Sequence, residues 1–255
     1  MRQYNISFVG AGKVAGSLAE KLYSVGHRIK KIVSLSPQKG KKVASSVKAS
    51  WSNDYTFDEE TDIIIVSVSD NSLEKVLHSI KCDEKTFVVH TAGSYGLDVF
   101  PKKRVRKGVL YPVQSFSNGR EVDYKGLPFL LETNDADTLD IMRDVVDSLE
   151  ANWSMADVEH RRLFHVAAVF VNNFTNHLLY CGEKIAEKAD IDFKLLEPLA
   201  KETIAKAFLN GPESSMTGPA VRKDYNTINM HKELLSFDGD LQKLYAEITE
   251  AILKK

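Results

Sequence analysis

Short apolar runs alternate with amphipathic stretches up to about residue 155. "YNISFV" leads into a helix from Lys13, "RIKKIVSL" is followed by the polar "PQKGKKVASS", and "TDIIIVSVS" precedes "DNSLEKVLHSI". "TFVVHT" runs into a glycine-containing loop, "RKGVLYPV" and "LPFLLET" read as strands, and "NDADTLDIMRDVVDSLE" reads as a helix started by Asn134 or Asp135. Strands alternating with helices predict parallel βαβ units. "DIIIV", β-branched and without alternation, suits a central strand buried on both faces.

After "NWSMAD" the pattern changes. From Val158 to about Lys188 only Gly182 interrupts a helical sequence, and Leu163, Ala167, Phe170, Phe174, Leu178, Cys181 and Ile185 recur at helical spacing. "DFKLLEPLAKETIAKAFL" and "DLQKLYAEITEAIL" continue in that style, each with an aspartate at its start. The predicted fold is therefore α/β: a Rossmann-type doubly wound parallel sheet over residues 1–155, then a smaller all-helical domain over 156–255.

Composition narrows the functional classes. The 255 residues are 43% hydrophobic and 27% charged, with 34 basic and 35 acidic side chains for a net charge of −1. That balance gives no electrostatic case for nucleic acid or an anionic membrane. Two cysteines, Cys82 and Cys181, make no disulfide framework, and no Cys/His pattern suggests a metal. No window approaches a membrane span, and the N-terminus reaches glycine before any apolar stretch of signal-peptide length, so a cytoplasmic protein is expected.

The chemistry starts at Gly10-Ala11-Gly12-Lys13-Val14-Ala15, which follows the first strand and opens a helix. This is the G-x-G-x-x-G/A spacing of the dinucleotide turn: Gly10 for the tight turn, Gly12 for close approach to a pyrophosphate, and Ala15 for close helix–strand packing. The phosphates would sit on the N-terminal N–H groups of the helix. An NAD site usually offers an acid about 20 residues on, for the ribose 2′-hydroxyl. "IVSLSPQKGKK" holds none, and supplies Ser34, Ser36, Lys39, Lys41 and Lys42 instead. Hydroxyls and ammonium groups suit a 2′-phosphate, so NADP is the expected cofactor.

"FVGAGKVAGSLA", "DIIIVSVSDNSL", "VVHTAGS", "YPVQSF", "LFHVAAVFVNNF" and "TGPAVRKD" together resemble a family known as DUF2520 and as NADP oxidoreductases, over nearly the whole chain. The N-terminal half is also similar to pyrroline-5-carboxylate reductase, to ketopantoate and β-hydroxyacid dehydrogenases, and to F420-dependent NADP reductase. The resemblance implies NADP binding, a dimerising helical domain and a substrate site between domains, and it names no substrate. Lys223 stands where glycine is common in that family, and Ala92 where serine is common.

Open α/β sheets bind ligands beyond the carboxyl ends of their strands. Val68 and Ser69 are expected to border the cofactor, with Thr91 and Gly93 near the nicotinamide. Ser94, Gln114 and Ser115 are candidate substrate contacts, although Gln114 and Ser115 equally fit turn chemistry. Asp70 reads as a helix N-cap. In the irregular run "NGPESSMTGPAVRKDYNTINMH", Arg222 either clamps a substrate carboxylate or pairs with Asp224.

Reduction of C=O or C=N calls for a proton donor with a pKa near neutrality, which histidine offers unmodified. His165 is the chosen general acid, off the apolar line of the long helix, and equally fits a core histidine; His90, ending an apolar run, is its rival and reads first as a buried, hydrogen-bonded core histidine. At about 100° per residue Asn172 stacks over His165, whereas the family-like pattern favours Asn173 as the orienting amide. The resulting expectation is an NADP(H)-dependent oxidoreductase acting on a small carbonyl or imine metabolite and assembled as a homodimer through its helical domain. A non-catalytic dinucleotide-binding module and another nucleotide-dependent enzyme, such as a transferase, are the alternatives.

Overall fold

The computed structural model describes residues 2–117 and 119–255. It divides into two compact units, 1–172 and 173–255. The first unit runs β1 (Asn5–Val9), α1 (Lys13–Ser24), β2 (Arg28–Val33), α2 (Pro37–Ser46), β3 (Ser50–Ser52), β4 (Ile63–Val66), α3 (Asp70–Ser79) and β5 (Phe87–His90). It continues through β6 (Lys107–Pro112), β7 (Pro128–Glu132), α4 (Ala136–Ser148), β8 (Asn152–Met155) and α5 (Val158–Ala168).

The eight strands form one sheet in the order β3-β2-β1-β4-β5-β6-β7-β8. Its first six positions are the doubly wound 3-2-1-4-5-6 order, whose switch point lies between β1 and β4. β4 pairs in parallel with β1 and β5, and all four of its residues are buried. That is why "IIIV" shows no alternation. Removing such a side chain from water stabilises the fold by roughly 1.5–3 kcal/mol.

Three features depart from the sequence expectation. β7 runs antiparallel to β6, and the described residues between 113 and 127 form no helix of the kind a parallel crossover needs. "NWSM", expected at a domain boundary, is strand β8, paired in parallel with β7 and with Trp153 packed against the core. The units divide at 172/173 rather than at 155/156, because α5 is tied to the sheet by side chains described below.

The α2 and α4 starts follow from capping. The Ser36 hydroxyl accepts from the Lys39 N–H, and the Asp135 carboxylate accepts from the Thr138 N–H. The cap of α3 is Ser69 rather than Asp70, which is the first helical residue, its charge placed in the first turn.

A π-helical turn, Val169–Phe174, separates α5 from α6 (Thr175–Lys188). Its i→i+5 bonding widens the turn, so the projection of Asn172 onto His165 at a constant α-helical angle does not hold. The second unit continues with α7 (Glu197–Asn210), α8 (Tyr225–Leu234) and α9 (Gly239–Leu253). Cys181, Leu235 and Leu241 form its small buried cluster, and an ion pair of 2.6 Å joins Lys184 to Asp238, the α9 N-cap.

Candidate functional site

Two turns meet at the switch point. The Gly10 N–H donates to the Val33 carbonyl at 2.8 Å, and the Ser67 N–H donates to the Val9 carbonyl at 2.7 Å. Gly10 has φ +117°, and a Cβ there would lie 1.9 Å from the Ser67 carbonyl oxygen. The closeness of the β1 and β4 ends thus accounts for this glycine. Gly12 is different. Its φ of −78° suits any residue, and a Cβ there would meet nothing within 4 Å. The protein's own packing gives no reason for glycine at this place; a ligand against the start of α1 does.

A cleft of about 600 Å³ opens there, lined by Gly10–Val14, Ser34–Ser36, Lys39, Val68, Ser69, Gln114 and Phe116, among others. Among the described residues its lining has two lysines, Lys13 and Lys39, and no carboxylate. The first turn of α1 carries no acid either. The dipole and the open N–H groups therefore act on an anion without competition. An adjoining groove of about 900 Å³ shares Lys13 and Lys39 and adds Lys21, Lys42 and Arg120 against Glu20 and Glu121. The Ser34 hydroxyl is engaged locally, donating to the Ser36 carbonyl at 2.9 Å and accepting from the Trp51 indole at 3.1 Å. Ser36 and Lys39 line the cleft beside it, the Ser36 hydroxyl while it caps α2.

The β5 loop is held from three sides. Nε2 of His90 is 3.3 Å from the Gly96 carbonyl, Arg161 Nη2 donates to the Tyr95 carbonyl at 2.6 Å, and Arg162 Nε donates to the Ser94 carbonyl at 2.9 Å. Arg161 is fully buried, donates also to the Ala156 carbonyl, and lies 2.6 Å from Glu132 Oε2. These bonds tie α5 to the sheet unit and fix the segment that carries Gly93 and Ser94.

His90 is a core side chain. Its Nδ1 accepts from the Ala92 N–H at 3.2 Å, which leaves the proton on Nε2 for Gly96, and the ring stacks on Phe100. Burial pushes its pKa down to about 4, against the helping Gly96 bond. With both nitrogens engaged and the ring neutral, His90 is not equipped to supply a proton. It does predict a pH dependence. Because the folded pKa lies below the ordinary 6.5, the unfolded chain takes up a proton first as pH falls, and stability is lost in that window. Urea titrations at pH 7 and pH 5 should differ by up to about 2 kcal/mol from this group. His90→Gln should flatten the slope; an unchanged slope would contradict the assignment.

His165 is exposed on α5, and its Nδ1 lies 3.0 Å from the Tyr111 hydroxyl at the carboxyl end of β6. Asn172 and Asn173 both belong to the π turn. The Gln114 side-chain oxygen accepts from the Ser115 N–H at 2.8 Å, the local turn bond that its position allowed. In the second unit the segment 211–224 is shorter than the irregular run suggested, because "YNTINMH" is helix α8. The Asp224 carboxylate caps that helix through the Thr227 N–H and hydroxyl, and these bonds hold it below its ordinary pKa. Arg222 is exposed. Lys223 has φ 54°, the left-handed conformation that explains a preference for glycine there.

Sequence comparison identifies the frame. Residues 5–93 match the model "NADP oxidoreductase coenzyme F420-dependent", and residues 127–252 match the domain of unknown function DUF2520. A Bacteroides fragilis protein solved as a putative NADP oxidoreductase is 32% identical, with 99% of each chain covered and a TM-score of 0.89. The chain belongs to this NADP oxidoreductase family with a DUF2520 domain. The family's fold extends further. A Thermotoga maritima protein is 21% identical with TM-score 0.73, covering 98% of this chain and 97% of its own. An imine reductase from Myxococcus stipitatus, solved with NADP+, is 14% identical with TM-score 0.67, covering 98% and 92%. No curated protein matches the chain. Among the described residues no cluster of His, Cys, Asp or Glu is arranged to hold a metal, and no helix is long and apolar enough to cross a membrane.

The contact of Tyr111 with His165 is what sequence reasoning missed. The only signal was the position of Tyr111 at a strand end, and its partner lies 54 residues away.

Proposed function

We propose that this protein is an NADP(H)-dependent oxidoreductase that moves a hydride to or from a small, carboxylate-bearing carbonyl or imine metabolite. The observation that carries the reading is the Gly12 position, an open place against a helix start in a cleft lined, among the described residues, by two lysines and no acid. The cofactor, when bound, supplies or accepts the hydride. In this reading the N–H groups at Gly12, Lys13 and Val14 hold the pyrophosphate, and Ala15 keeps α1 close to the sheet. Ser36, Lys39 and Lys13 take the 2′-phosphate, for which the α2 start adds a favourable dipole. Val68 and Ser69 border the ribose, and Thr91 and Gly93 border the nicotinamide. Ser94, Gln114 and Ser115 face the substrate.

His165 is the general acid. Its proton goes to the oxygen or nitrogen of the bond being reduced, as hydride arrives on the carbon. The test is oxidation of NADPH, followed at its absorbance maximum, with a panel of small 2-oxo acids and cyclic imines. Turnover of at least one class is expected; failure of every member would contradict the proposed substrate class.

A homodimer completes the reading. Leu178 and Ile185 on α6 and Leu199 and Phe208 on α7 are exposed. Such apolar faces in the helical unit need a cover, and a second copy presents a self-complementary one. With a net charge of −1 the two copies do not repel strongly. Light scattering should report twice the chain mass at micromolar concentration, and a monomer would refute the dimer.

A further inference from the structure

We propose that Tyr111 is the positioning residue of this site: its phenol holds Nδ1 of His165 and leaves Nε2 as the nitrogen that hands over the proton. The proposal rests on His165 being the general acid.

The contact is well placed for that purpose. Tyr111 is the next-to-last residue of β6, at the end of the sheet where ligands of this fold bind. Its hydroxyl lies 3.0 Å from His165 Nδ1, and the two rings meet edge to face with centroids 6.4 Å apart. The tyrosine ring is fixed from the other side by the β5 loop. A Cβ on Gly93 would fall 2.8 Å from its Cζ, so the ring sits directly against that glycine. The loop is itself clamped through the carbonyls of Ser94, Tyr95 and Gly96. A chain of contacts thus runs from the buried core through Gly93 to the phenol and on to the imidazole. His165 alone, exposed on its helix, has no comparable restraint from the sheet.

The chemistry follows from which atom donates. Burial, and after it the Asp70 carboxylate, raises the Tyr111 pKa, so the phenol keeps its proton. A neutral phenol serves both states of the ring. It accepts from Nδ1–H when the ring is an imidazolium, and it donates to Nδ1 when the ring is neutral with its proton on Nε2. In the forward reduction the Nε2–H bond breaks and an O–H or N–H bond forms on the substrate. The ring is left neutral with Nδ1–H still on the phenol, and solvent restores the proton balance. The sequence distance between the partners explains why the asparagines of the helix were the first candidates for this duty.

The test uses Tyr111→Phe in the full-length protein, because phenylalanine preserves the ring against Gly93 and removes only the hydroxyl. In protein carrying ¹⁵N-labelled histidine, at alkaline pH, the His165 Nδ1 resonance should move in the variant while that of His90 stays. A resonance that does not move overturns the proposal. On a panel substrate that turns over, kcat should fall roughly 3- to 10-fold with NADPH affinity unchanged, the loss of one hydrogen bond. The same substitution made on top of His165→Ala should cost nothing more, since the phenol acts through the ring. An equal loss in both backgrounds would give Tyr111 an independent role and overturn the proposal. Full activity in His165→Ala would instead remove the general-acid reading, with the resonance experiment still deciding the contact.

Discussion

Gly12→Val should leave the protein folded and reduce NADPH affinity by at least about 100-fold, whereas Gly10→Ala should damage the fold itself. The two glycines stand two residues apart and differ in what surrounds them. A Cβ at Gly10 would lie 1.9 Å from a backbone carbonyl, at a φ of +117° that side chains avoid. The β1 and β4 ends would have to separate, costing more than about 3 kcal/mol. A Cβ at Gly12 would meet no protein atom within 4 Å, so a valine there points its isopropyl group at the place where the pyrophosphate would lie. Closing off two or more charge-assisted contacts, each worth roughly 1.5–3 kcal/mol, accounts for the loss of affinity. Thermal melts and calorimetry on both variants check the pair. NADPH binding to Gly12→Val within a few-fold of wild type would move the cofactor away from this turn.

His165→Ala should lower kcat by about 10²–10⁴ with NADPH affinity unchanged, the usual contribution of a positioned general acid. The ring is exposed and makes its sheet contact through Tyr111, so its removal opens no core cavity. The effect should therefore fall on turnover and leave stability within about 0.5 kcal/mol. Comparison of kcat and KM on a panel substrate, with a melt as control, separates the two. A variant with full turnover would make the ring a packing group.

Much of the fold is legible because its signals are local. The strand-glycine-helix opening, the unalternating "DIIIV" and the capped α4 each declare themselves within a dozen residues. β7 was legible as a strand but its direction was not, because direction depends on what the 113–127 connection does in space. β8 is four residues long and resembles a linker. The apolar line from Leu163 to Ile185 reads as one helical period, but the π turn at Val169–Phe174 interrupts it and Cys181 on it is buried, so periodicity did not say what each position faces. The strand-glycine-helix turn was readable because Gly10 answers to backbone geometry. The Tyr111–His165 contact and the arginine clamp on the β5 loop join residues more than fifty positions apart, and nothing local marks either. His90 shows the converse: its residue type suggested chemistry, and burial decided otherwise.

The most direct test of an NADP site built on Gly12, Ser36 and Lys39 is the ratio of NADPH to NADH affinity, measured by calorimetry on the full-length protein. NADPH should bind at least about 10-fold more tightly, since one charge-assisted contact to the 2′-phosphate is worth roughly 1.5–3 kcal/mol. Equal affinities, or tighter binding of NADH, would contradict the account.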